Sequence, residues 1–173
     1  CEHYGLDEVA EYWENVVRIN DYQARRFTER MLEAMFNTVT DKRIAILGFA
    51  FKANTGDTRE SPAIDVCRAL LAERARLAIC DPKALDNARK DLGDADGRVE
   101  YVSDPYEACR DAHAVVVLTD WELFKSLDYK RIFDNLRKPA FLFDGRNCLP
   151  HQNLYDMGYN VYPIGKPPKV HFD

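Results

Sequence analysis

Three cations and two aromatic residues are the side chains of this sequence whose types and spacing point to chemistry. Lys52 and Arg59 lie with Phe49 and Phe51 in the stretch KRIAILGFAFKANTGDTRES, residues 42–61, and Arg146 follows far downstream in FDGRN, residues 143–147. Arginine grips phosphate oxygens through paired donors and lysine acts as a compact point charge, so the set suits an anionic group. Phe49 and Phe51, read as exposed, suit a planar base that they stack on or enclose. For each residue a plain reading stays open beside the functional one: Lys52 solvated, Arg59 paired with Asp57 or Glu60, Arg146 tied to a sheet edge through Asp144.

The elements that must position these groups are legible from local pattern. Lys42 to Leu47 is a short apolar, β-branched run between charge and glycine, the pattern of a buried strand, and Gly48 ends it. After a polar loop, Ser61-Pro62 opens a helix, with Ile64, Cys67, Leu70 and Leu71 at helical spacing. A strand that runs into a helix N-terminus puts backbone donors at the carboxyl edge of a sheet, where open α/β sheets take anionic ligands. The loop lacks the glycines of G-x-G-x-x-G and the Gly-Lys of a P-loop, so an anion site and an ordinary strand-to-helix turn both remain open.

Strands are further predicted at Arg76–Cys80, Val99–Val102, Ala114–Leu118, Ala140–Phe143 and Tyr159–Ile164. Helical stretches fall between them at Leu85–Leu92, Tyr106–Ala112, Tyr129–Leu136 and Asn153–Gly158. About six strands alternating with helices define an α/β chain with a Rossmann-like, doubly wound parallel sheet. On that topology the loops at 49–59, 119–122 and 144–147 leave the sheet on one edge. Ahead of it, residues 1–38 read as a long helix. Val9, Trp13, Val16, Asn20, Gln23, Phe27, Met31 and Ala34 share one face, which is broad enough to pack against more than its own domain.

Composition narrows the possibilities. The chain has 173 residues and a formal charge of −5, from 24 basic and 29 acidic groups, which argues against a binder of nucleic-acid backbones. No apolar run approaches the ~20 residues of a membrane span. Five cysteines without a C-x-x-C pair suggest a reducing, cytoplasmic setting, with Cys67, Cys80 and Cys148 as small buried hydrophobes. His3, His151 and His171 show no ligand spacing or partner, and no metal site is expected. Asp81, after the second strand, reads as a cap for the next helix, Trp121 as a packing residue, and Asp128 and Asp134 as solvated charges.

The stretch GFAFKANTGDTRESPA resembles the loop that opens the C-terminal, UDP-binding domain of the UDP-glucose 6-dehydrogenases, of eukaryotic type, in the UDP-glucose/GDP-mannose dehydrogenase family. LTDWELF, residues 118–124, and FDGRN resemble that domain's later motifs in the right order. The resemblance implies residues 1–38 as a linking and dimerisation helix, 39–165 as the UDP-binding domain and 166–173 as an extended tail. Phe51, Lys52 and Arg146 would contact the UDP-sugar, and Arg59 would reach an NAD held mainly by another domain. It further implies oxidation of UDP-glucose to UDP-glucuronate in two hydride transfers through a cysteine thioester, in a homo-oligomer. Cys1 does not match the flanks of that cysteine, so no catalytic residue is expected here and the chain is expected to bind without turnover. Alternatives are the equivalent domain of a GDP-mannose or UDP-N-acetylmannosamine dehydrogenase, and an oligomerisation or regulatory module.

Overall fold

Ile44–Leu47 and Ala114–Val117 are continuous apolar runs with no exposed surface at any position, the condition of central strands covered on both faces. In the computed structural model, which describes residues 2–172, they are the two middle strands of a six-stranded, all-parallel sheet. Cys1, expected not to be the nucleophile, lies outside the described residues, as does Asp173. The elements in chain order are α1 (Asp7–Ala34), β1 (Arg43–Leu47), α2 (Pro62–Ala72), β2 (Arg76–Cys80), α3 (Leu85–Leu92), β3 (Val99–Tyr101), α4 (Pro105–Cys109), β4 (Ala114–Val117), α5 (Glu122–Lys125), α6 (Tyr129–Asn135), β5 (Phe141–Asp144), α7 (His151–Asp156) and β6 (Asn160–Pro163). The strand order is β3-β2-β1-β4-β5-β6, so the chain reverses direction across the sheet between β1 and β4.

The pairing register decides what this sheet can present. Leu47 pairs with Cys80 on one side and Val117 on the other, Val117 with Asp144, and Asp144 with Pro163. The carboxyl ends of five strands are therefore level, and their loops leave from one edge.

Helix starts follow their caps. Ser61 accepts from the Ala63 amide ahead of Pro62, Asp104 from Tyr106 ahead of Pro105, and Asp128 from Arg131. Asp128 is thus an N-cap and not only the solvated charge that was expected.

Helix α1 stops at Ala34, four residues short of the predicted limit, because Phe36 and Asn37 turn left-handed and the Asn37 amide donates back to Leu32. Its C-terminal part packs on the domain through Phe27, Met31 and Met35, with Phe27 edge-on to Phe143. The part before it leaves Val9, Tyr12, Trp13, Val16, Val17, Ile19 and Tyr22 exposed. The residues after β6 are pinned rather than loose. Lys169 bridges Val161, the His171 amide donates to Asn160, and Phe172 packs against Phe36 and Phe141.

Gly48 ends β1 with φ 95°, and a Cβ there would stand 2.5 Å from the Cβ of Thr119. Replacing Gly48 by Ala is expected to cost about 2–4 kcal/mol, from a left-handed backbone plus an overpacked contact. Urea unfolding should show a lower midpoint at constant slope; unchanged stability would mean that the two loops separate freely.

Candidate functional site

The site begins where β1 meets its loop. In a doubly wound sheet the crevice between the strands at the switch point, here β1 and β4, takes a ligand, and the first loop's amides receive its phosphates. In this chain the crevice is shut. The backbone at Gly48 lies against Thr119, and the Thr119 hydroxyl donates to the Ala50 carbonyl at 2.6 Å. The amides of Phe49 and Ala50 donate instead to Oδ2 of Asp81, at 2.8 and 3.0 Å, and the Trp121 indole joins them at 3.2 Å. Oδ1 of the same carboxylate accepts from the amides of Lys83 and Ala84, both at 2.8 Å.

Asp81 is therefore not the cap of α3, which starts at Leu85 with no side-chain cap. It is a buried hub, 2% exposed, for the loops after β1, β2 and β4. Trp121 is buried as expected, but it is also one of the hub's donors.

The rest of the first loop is fastened in the same manner. The Phe51 amide donates to the Asp57 carbonyl, Asn87 to the Gly56 carbonyl, the Thr58 hydroxyl to Asp91, and the Ser61 hydroxyl to the Phe49 carbonyl. Phe49, expected at the surface, is wholly buried beneath this loop; Phe51 remains 46% exposed and Lys52 lies in solvent beside it. A local sequence pattern cannot tell which of two aromatics two residues apart turns inward.

Arg59 takes the plain alternative that the sequence left open. Its guanidinium grips both oxygens of Asp57, at 2.9 and 2.7 Å. Those side-chain bonds, helped by the Arg59 amide, hold the Asp57 carboxyl at about 2.

The other cation arrives from β5. Arg146 stands two residues beyond Asp144, which is fully buried and accepts from the amides of Arg146 and Leu149 and faces Nε2 of His151 at 2.8 Å. His151, read as lacking a partner, thus helps to orient the carboxylate that sets the Arg146 loop. His171 also has partners, stacking on Tyr155 and facing its carbonyl. The Arg146 guanidinium lies 3.8 Å from Asp120 in the loop after β4, a half-exposed pair joining two of the three loops. Asp144 was read as a tie for Arg146, and it holds that loop through the Arg146 amide; Asp120 and the part played by His151 escaped the sequence reading because neither acts on a close neighbour along the chain.

No cysteine among the described residues has a nucleophile's environment. Burial pushes the thiols of Cys67 and Cys109 up, Cys80 to about 12 and the half-buried Cys148 to about 11, so all stay protonated near neutrality. Cys148 is not the buried hydrophobe expected, since Asp144 lies 3.9 Å from its sulfur. A separate recess of about 130 Å³ lies between α1 and the end of β6, lined in part by Arg26, Arg30 and Tyr162.

The profile of the UDP-glucose/GDP-mannose dehydrogenase family, UDP binding domain, matches residues 45–151. UDP-glucose 6-dehydrogenase 1 of Arabidopsis thaliana is 53% identical over 96% of this chain and 39% of its own length; the Glycine max protein of that name is 52% identical over 96% and 38%. This chain therefore spans about two fifths of the length of the curated relatives it matches. A solved UDP-glucose dehydrogenase of Pyrobaculum islandicum superposes with a TM-score of 0.69 at 31% identity, covering 87% of this chain and 31% of that one.

The Asp57–Arg59 pair makes a direct test. A depressed carboxyl stabilises the fold above its ordinary value of 3.8, and that contribution is lost as pH falls through about 2. The pair is exposed, so the carboxyl titration is a better readout than stability. Carboxyl-carbon NMR should give a midpoint near 2 in the parent and a return toward 3.8 in Arg59→Ala; an unmoved midpoint would remove Arg59 as the cause.

Proposed function

The chain belongs to the UDP-glucose/GDP-mannose dehydrogenase family, and on that premise we propose that it is the UDP-sugar-binding half of an NAD-dependent enzyme oxidising UDP-glucose to UDP-glucuronate. The observation that carries this reading is the adjacency of β1, β4 and β5 with level carboxyl ends. The loops bearing Phe51, Lys52 and Arg146 are thereby neighbours, with Asp120 between them. A diphosphate entering here meets a point charge from Lys52 and a two-pronged donor from Arg146, and the exposed ring of Phe51 offers a face to the base. Arg146 must first leave Asp120. A half-exposed ion pair is worth only ~0–1 kcal/mol, so that exchange costs little.

The reaction itself lies with groups other than those described. With every described thiol held protonated by burial, no residue here is assigned as nucleophile. Nor do the residues present fit NAD at the switch point, because the first loop's amides already hold Asp81 and Gly48 abuts Thr119. In such enzymes NAD supplies hydride acceptance. Arg59 is proposed to reach it from the rim of this domain, after exchanging its hold on Asp57.

A second reading has its own support. The apolar residues left bare along α1 favour a homo-oligomer joined through that helix, as the resemblance implies. Among the described residues no helix is long and apolar enough to cross a membrane, and Cys67, Cys80, Cys109 and Cys148 are free thiols. A cytoplasmic setting is accordingly part of the proposal.

Titration calorimetry with UDP, UDP-glucose and GDP tests the reading: UDP ligands should bind selectively, and Arg146→Ala should weaken UDP by ~1.5–3 kcal/mol, the range for a hydrogen bond to a charged group. Preference for GDP would favour the GDP-mannose enzymes, and an unchanged affinity would remove Arg146 from the site. For the helix, Trp13→Asp should reduce the particle mass seen by light scattering; an unaltered mass would count against association through this face.

A further inference from the structure

We propose that Asp81 is a positioning residue for the nucleotide site, an internal carboxylate standing where a doubly wound fold ordinarily receives a phosphate. It sets the backbone from which Phe51 and Lys52 are presented. The proposal deepens the functional reading above and rests on it for the identity of the ligand.

A carboxylate offers about four lone-pair positions, and Asp81 accepts five hydrogen bonds, so both oxygens are saturated. Four of the five donors, the amides of Phe49, Ala50 and Ala84 and the Trp121 indole, belong to buried residues; the fifth is the amide of the exposed Lys83. Removing the carboxylate leaves those donors unsatisfied, and unless an anion of the same shape takes its place the loops shift to find other acceptors. Two of the five belong to the residues immediately before Phe51, so any shift is transmitted directly to Phe51 and Lys52. The indole belongs to the residue after Asp120, the partner of Arg146. One anion thus governs the approach of both cations.

In a glycine-rich dinucleotide loop the corresponding amides wait for the ligand's phosphate. Here the anion is covalently attached, so the loop is ordered when the chain folds and not when the nucleotide arrives.

The test uses Asp81→Ala in a Trp13→Phe background, which leaves Trp121 as the sole tryptophan. Measured well below its melting temperature, this variant should bind UDP at least ~10-fold more weakly, the loss of about one charged hydrogen bond, and its Trp121 emission should shift. Sodium formate, which matches the missing carboxylate, should restore both affinity and emission, while chloride at equal ionic strength should not. A lower melting temperature with unchanged UDP affinity would overturn the proposal, as would formate restoring stability but not affinity. If Asp81→Ala does not fold, Trp121→Phe removes a single donor and should weaken UDP ~2- to 5-fold; an unchanged affinity would overturn it equally. If the parent chain binds no UDP, the functional reading fails and positioning is read from hydrogen exchange of the Phe51 amide, which donates to the Asp57 carbonyl. It should exchange ~10-fold faster in the variants, and an unaltered rate would refute the positioning role.

Discussion

Asp81 sits at the end of β2 with 2% of its surface exposed, and it takes hydrogen bonds from the loops after β1, β2 and β4 at once. A buried carboxylate is tolerated only when its oxygens are fully met, and buried amides only when they find an acceptor. The two demands cancel here, and neither side can be removed alone. With the contact of Gly48 on Thr119 this seals the crevice at the switch point, so the recognisable dinucleotide position of the fold is filled by the protein itself. Phe51, Lys52 and Arg146 stay exposed at that edge, and they are the groups proposed above to meet the ligand.

Asp144 repeats the solution on the neighbouring side. It too closes a strand, is fully buried, and fastens the following loop by accepting from the amides of Arg146 and Leu149 while His151 holds its second oxygen. Two strand-end carboxylates therefore fix the two cation-bearing loops. The cations themselves stay free or in weak, half-exposed pairs, which is what a group must do if it is to exchange its partner for a phosphate.

The fold was largely legible in the sequence. Continuous apolar runs as short as Ala114–Val117, bounded by turn signals, read as central parallel strands, and Ser61-Pro62 and Asp104-Pro105 announce their helices by capping chemistry that acts over two or three residues. That Lys52 and Arg146 lie on one edge could be read from the sequence, because loops after parallel strands leave the sheet on the same side whatever the finer packing. What was hidden depends on long separations. The bonds from Phe49 and Ala50 to Asp81 span 32 and 31 residues, and that from Trp121 spans 40. At sequence level a strand-end aspartate looks the same whether it caps the next helix or gathers three loops. The burial of Phe49 is hidden for a related reason: the loop above it is held down by those same distant bonds.

The central claim is that a nucleotide diphosphate binds on the outer edge, between the loops after β1 and β5, and not in the crevice between β1 and β4. Amide chemical-shift mapping during a UDP titration tests it most directly. The account requires the largest shifts at residues 51–52, 120 and 145–147, with the Phe49 and Ala50 amides little changed because they remain on Asp81. Shifts centred on Phe49, Ala50 and Thr119, or confined to the recess beside Arg26 and Arg30, or absent altogether, would contradict it.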